Sequence, residues 1–197
     1  IVPLHVPEAQ IPISDVNTVY DGEGHTITLP PTIRTDAGTV TLTDEFTVQY
    51  RDEHGNVTDT PPQYYDVGDH PITVILTSIS GNYDPDEVPT VVTITPRPLT
   101  ADYGDVSTLY DGLPHTVPLT VTGLVPRDTL YLTEVNRTAT NATRLGDGTF
   151  GPLTTTATSW QLTDATDPSI NRAANYTVNI LPGSLEIKPI PDRKSVV

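Results

Sequence analysis

Two carboxylate–imidazole pairs at one spacing are the first residues in this chain able to do chemistry. Asp21 and His25 stand in Tyr20-Asp21-Gly22-Glu23-Gly24-His25-Thr26, and Asp111 and His115 in Tyr110-Asp111-Gly112-Leu113-Pro114-His115-Thr116. An aspartate beside a histidine can pass a proton or hold a metal ion. Either task needs a third group, and neither stretch offers one nearby. The pattern also occurs twice, which suits a framework element, whereas a catalytic centre is more often unique. The motif is therefore read as structural. Gly22 and Gly112 supply the positive φ of a tight turn, Tyr20 and Tyr110 are expected on the core, and the rings of His25 and His115 are expected to bond a turn carbonyl.

Other residues offer binding rather than reaction. Asp84, Asp86 and Glu87 share one loop, and Asp102 and Asp105 follow shortly after. A hard cation takes about six to eight oxygens, so Ca2+ at the interdomain junction is the best cofactor reading, although no EF-hand spacing is present and the fold requires no cofactor. Arg137, Arg144 and Trp160 form the ligand-binding set, able to hold a glycan or a host protein. Trp160 itself, in the alternating Ser159-Trp160-Gln161-Leu162, is expected in the core. The two lysines, Lys188 and Lys194, argue against a shared isopeptide cross-link, because Thr95 stands where Lys188 has its counterpart. No Gly-x-Ser-x-Gly elbow and no phosphate loop occurs, and the chain is read as a non-enzyme.

Composition narrows the classes further. Asp and Glu number 25 against 10 Lys and Arg, a formal net charge of −15. Nucleic-acid binding needs clustered cations to neutralise phosphates, so that class is excluded, and an acidic surface disfavours anionic membranes. Cys is absent, which removes disulfides, thiolate metal sites and cysteine nucleophiles. No apolar run approaches the roughly 20 residues of a membrane span, and a signal or anchor is expected outside this stretch, as in a fragment of a longer secreted protein.

The elements that must position these residues are strands. Thr, Val and Ile are frequent, and 20 Pro and 13 Gly punctuate short alternating runs. Strands are expected at residues 25–29, 38–42 with 46–50, 71–76 and 88–95, then at 115–121, 129–135, 154–162, 176–180 and 184–187. Asp15-Val16-x-Thr18 and Leu29 match Asp105-Val106-x-Thr108 and Leu119 at an offset of ninety, and Asn82-Tyr83 matches Asn175-Tyr176 at ninety-three. The chain therefore reads as two copies of one unit, all-β, with two tandem immunoglobulin-like sandwiches. The expected divisions are an extended segment at 1–13, repeats at 14–97 and 98–190, and a tail at 191–197. Pro96-Arg97-Pro98 is expected to be a hinge that no ladder can include.

The Tyr-Asp-Gly-x-x-His-Thr opening resembles the YDG and MBG repeats of bacterial cell-surface proteins. Asp66-Val67-Gly68-Asp69-His70-Pro71, Gly81-Asn82-Tyr83 and Leu181-Pro182-Gly183-Ser184 carry the same resemblance. It covers most of residues 14–190 and brings no catalytic residues with it. It implies immunoglobulin-like modules strung along surface adhesins, with an extracellular, cell-surface location. Partners would be neighbouring repeats or like subunits, and a host glycan or protein. The expected role is a spacer or adhesion segment. Two alternatives stand beside it: a filament subunit that lends residues 1–6 as a strand to the next copy, and a binding module centred on residues 134–168, where the second repeat departs from the pattern.

Overall fold

The computed structural model describes residues 11–35 and 37–191. The N-terminal segment at 1–10, Asp36, and the tail at 192–197 lie outside the described residues. Among the described residues strands dominate, with a helical turn at Leu42–Glu45 and a 3-10 turn at Ala173–Asn175. Among the described residues no helix is long and apolar enough to cross a membrane. The chain divides into two compact units between Pro96 and Arg97.

The first unit holds β1 (Val16–Val19), β2 (Thr32–Thr35), β3 (Gly38–Thr41), β4 (Phe46–Arg51), β5 (Val57–Thr58), β6 (Gly68–Ser78) and β7 (Asp86–Thr95). Five of these form one sheet in the order β1-β7-β6-β4-β5, and β2 with β3 makes a separate hairpin. Period-two alternation works here as the pleat demands. Ile72, Val74 and Leu76 of β6 and Val88, Val92 and Ile94 of β7 are buried. Ile27, Ile33 and Leu42 are buried in the same unit. The strand expected at 25–29 is reduced to a bridge between His25 and Tyr64, because Leu29 runs into Pro30-Pro31, which has no donor for a ladder. The strands expected at 38–42 and 46–50 are present as β3 and β4, and the gap between them is the helical turn at Leu42–Glu45.

The second unit holds β8 (Arg97–Tyr103), β9 (Asp105–Leu109), β10 (His115–Thr116), β11 (Leu119–Thr122), β12 (Asp128–Val135), β13 (Thr138–Ala139), β14 (Leu153–Asp164), β15 (Tyr176–Leu181) and β16 (Gly183–Lys188). They form a three-stranded sheet β11-β8-β15, a four-stranded sheet β12-β14-β16-β9, and the short pair β10-β13. Tyr103, Val117, Leu185 and Ile187 make a buried core, with Val106, Leu119, Leu132 and Ile180 packed against it.

In each unit an early strand lies parallel to the last one. β1 pairs with β7 as Val16↔Val92 through Val19↔Thr95, and β9 pairs with β16 as Val106↔Leu185 through Leu109↔Lys188. These are equivalent registers under the two sequence offsets. In the second unit the parallel pairing extends further, from Arg97↔Tyr176 to Leu181↔Asp102 in one sheet and from Ser184↔Asp105 onward in the other. The two stretches thus change sheets side by side, at Gly104 and at Pro182-Gly183. A Cβ on Gly183 would fall onto the carbonyl oxygens of Gly104 and Tyr103, so only glycine permits that approach.

The Pro96-Arg97-Pro98 hinge is not outside the ladder: Arg97 and Pro98 open β8, opposite Tyr176 and Thr177. A proline removes one donor, and the cost depends on whether a neighbour stands on that side. β11 pairs only with residues 100–103 of β8. Pro71 and Pro89 follow the same rule, since β4 reaches only residues 73–78 of β6 and β1 only residues 92–95 of β7.

Gly183→Val is expected to destabilise the second unit by roughly 2 kcal/mol or more, through backbone separation at the crossover, and to leave the first unit's melting unchanged. Calorimetry resolving the two units checks this; equal shifts in both, or none, would contradict the crossover.

Candidate functional site

The Asp-Gly-x-x-His stretches form the same corner in both units. As each chain leaves β1 or β9, the Tyr20 amide donates to the Thr95 carbonyl and the Tyr110 amide to the Lys188 carbonyl, both at 2.9 Å. Gly22 and Gly112 then turn the chain at φ of 83° and 81°. Asp21 Oδ1 accepts from the Glu23 amide and from His25 Nε2, each at 2.9 Å. Asp111 Oδ1 accepts from the Leu113 amide at 2.9 Å and from His115 Nε2 at 3.0 Å. The histidines therefore bond the turn's carboxylate, where a turn carbonyl was expected. The carboxylate is the better acceptor.

Charge follows from this geometry. The Leu113 amide, then the His115 ring, hold the Asp111 carboxyl below its ordinary value. For Asp21 burial pulls upward, but the Glu23 amide and the His25 ring outweigh it and the net shift is downward. Each Oδ1 is spent on the turn and on the ring, so the pair closes a corner.

The tyrosines differ. Tyr20 is buried, as expected, whereas Tyr110 is 39% exposed and does not pack on the core. The corner is fixed by the backbone amide and the Asp–His contact, so the ring can leave the core without loosening it.

The acidic residues are divided between the two units. Glu87 faces Arg51 in a bidentate pair at 2.7 and 2.8 Å, which consumes both of its oxygens, and Asp86 accepts from the Glu87 amide at 2.9 Å. Asp84 stands in the loop before β7, whereas Asp86 and Glu87 are the first two residues of that strand, so the three do not share one loop as expected. In the second unit Asp102 sits in β8 opposite Thr120, and Asp105 accepts from the Ser184 hydroxyl at 2.7 Å, tying β9 to β16. Among the described residues no three His, Cys, Asp or Glu side chains are placed to hold a metal ion.

The ligand-binding set lies on three separate elements. Arg137 Nη1, just after β12, donates to both carboxylate oxygens of Glu134 at 2.8 and 2.9 Å, and the Tyr103 hydroxyl donates to the same Glu134 at 2.8 Å. Burial, then the Glu134 carboxylate, push the Tyr103 phenol up to about 12, so it stays a donor. Arg144 donates to the Gly148 carbonyl at 2.8 Å and lies 3.8 Å over the Phe150 ring, closing a hairpin tip. Trp160 is 41% exposed, against the expectation that it fills the core. β14 is twelve residues long, and residues 158–161 are exposed on both faces; its alternation continues where no second layer covers it.

A buried ionic cluster escaped the sequence reading. Asp128 and Asp164 face each other at the ends of β12 and β14, a like-charge pair that would repel if left alone. Arg172 lies between them, donating to Asp164 Oδ2 at 2.9 Å and standing 3.8 Å from Asp128 Oδ1. The Tyr176 hydroxyl donates to Asp128 Oδ2 at 2.7 Å. Asp164 Oδ1 caps the following loop through the Thr166 amide and hydroxyl. Arg172 first, then Thr166, hold the Asp164 carboxyl far below the usual carboxylate range. Its stabilisation is therefore fully present above the ordinary carboxylate pKa of about 4 and is lost as pH falls below it.

No family model and no curated protein matches the chain. Among solved structures it is similar to the fibronectin(III)-like modules of Clostridium thermocellum CbhA at 10% identity, covering 90% of this chain and 92% of that one with a TM-score of 0.25. It is similar to titin domains I67–I69 at 8% identity and a TM-score of 0.33, covering 91% of this chain and 64% of that one. It is also similar to the Bacteroides ovatus protein SGBP-B, from a mixed-linkage glucan utilisation locus and bound there to a heptasaccharide, at 12% identity and a TM-score of 0.28, covering 87% of this chain and 43% of that one. The chain thus spans less than two thirds of the last two.

Arg172→Met should lower the second unit's melting temperature by about 10 °C, because the two buried carboxylates lose the guanidinium between them and Asp164 is left with Arg127 at 3.9 Å. The same variant should flatten the fall in stability below about pH 4. Thermal melts between pH 7 and pH 3 measure both; an unchanged acid limb would remove the cluster from the account.

Proposed function

We propose that the chain is a non-enzymatic, load-bearing segment of an extracellular surface protein, a spacer or adhesion stalk of the bacterial kind its repeats resemble. One observation carries this reading: in each unit an early strand runs parallel to the last strand, β1 with β7 and β9 with β16. When the chain is pulled from its two ends, parallel neighbours are drawn in opposite directions along their length. All the hydrogen bonds of the pair are then loaded together, whereas an antiparallel hairpin opens one rung at a time. The corners support the same role, since the Tyr20 and Tyr110 amides add a further rung at the exit of each early strand. An acidic surface keeps neighbouring stalks apart.

Pulling single molecules end to end tests the proposal. Two separate unfolding steps are expected, each releasing roughly 25 nm of chain, from about 80 residues at about 3.4 Å each. Gly183→Val should lower the force of one step and spare the other. Extension without distinct steps would end the load-bearing reading.

A second reading has its own observation, the exposure of Trp160. An exposed indole on a β ribbon can stack on a sugar ring, which would make the second unit a glycan-binding module. Trp160 emission should be quenched by soluble iodide, and glycan-array signals, if the reading holds, should vanish in Trp160→Ala with the fold intact. An array with no signal for the parent chain would dismiss it.

A further inference from the structure

A wedge opens on one side of the second unit. Residues 115–117 and 137–139 are pinned together by the β10-β13 pair and by the Val117 amide donating to the Arg137 carbonyl at 2.8 Å. Beyond that point the two stretches part company. β11 turns into the three-stranded sheet and β12 into the four-stranded one, and among the described residues each is the edge strand of its sheet. Between them lies an open groove of 350 Å³ lined by Leu119, Val121, Leu124, Leu130, Tyr131 and Leu132, with Glu134 and Arg137 at the pinned end. Its polar end is neutral, since those two side chains neutralise each other. A mostly aliphatic floor flanked by two strand edges fits an extended backbone that brings apolar side chains.

We infer that this wedge receives residues 1–6 of a second copy, added as a strand along the edge of β12. Three features of the sequence favour that occupant. Val2, Leu4 and Val6 alternate, so all three fall on one face. Their amides point to one edge of the segment, while Pro3 and Pro7 place their missing donors on the other, which gives a strand that can pair on one side only. Residues 1–7 carry no acidic side chain in a chain with 25 of them, so the segment approaches a neutral groove without the repulsion the rest of the molecule imposes. A segment of about seven residues also matches the eight of β12. Association of this kind is head to tail, and successive copies extend it into a filament.

Sedimentation of the whole chain over rising concentration tests the inference. Oligomers should grow with concentration, and more readily as salt is raised from about 0.01 M to about 0.15 M, because screening weakens repulsion between acidic copies. Leu4→Asp removes the donor and Val121→Arg fills the groove. Each variant alone should stay monomeric, and an equimolar mixture should give dimers and nothing larger, since one intact donor meets one intact groove. Val121 is 37% exposed, and circular dichroism checks that its variant folds. If that variant unfolds, a synthetic peptide of residues 1–8 serves instead, and it should cap and shorten the parent oligomers. A parent chain that is monomeric at every concentration and salt overturns the inference, as does a Val121→Arg chain that assembles normally. Neither result touches the load-bearing reading, which rests on force and not on assembly.

Discussion

Everything in each unit depends on a backbone ladder between residues far apart in sequence. Val16 must meet Val92, and Val106 must meet Leu185, before either sheet has its outer strand. The side chains are arranged around that meeting. Asp105 accepts from Ser184 and Glu186 from Ser107, both at 2.7 Å, so polar contacts on the surface repeat the register that the backbone sets. Below them Leu185 and Ile187 are buried. The corner closes the ladder: the amide after each early strand spends its hydrogen on the last strand, and only then does Asp-Gly turn the chain away.

The two units solve the same problem with different means. In the first, β7 runs unbroken through Pro89 and pairs with β6 over nine residues. In the second, the matching strand divides at Pro182 and its halves join different sheets. The proline is shared and its effect is not, because what it costs is set by the neighbour that would have used its donor. The ionic cluster of Asp128, Asp164 and Arg172 belongs to the divided version only, where it closes the loop leading into β15.

Much of this was legible beforehand. Alternation of Val, Ile and Leu located most strands, and the repeated Tyr-Asp-Gly located the corners and their equivalence. What was not legible follows a pattern. Alternation says which face Trp160 occupies, but whether a second layer reaches that face is decided by strands elsewhere. Tyr110 looked like Tyr20 because the motif is the same, yet the corner does not need the ring. Nothing in the sequence beside Asp128 or Asp164 announces that Arg172 will arrive between them. The groove between β11 and β12 was equally hidden: each strand reads as ordinary, and only their divergence after Val117 creates the space. The residues 1–6 assigned to it were visible as an alternating strand without a sheet.

The pairing of early with late strands has a further consequence, for the order of events during synthesis. A hairpin can form as soon as its second strand exists, but β9 has no partner until the chain has grown to β16, some eighty residues on. Bringing such distant segments together costs loop entropy before any contact rewards it, and that makes folding slow relative to locally connected folds. Each unit is therefore committed only when its final residues are made. Until then its early strand keeps an open edge, a row of unpaired donors and acceptors on which another chain could pair.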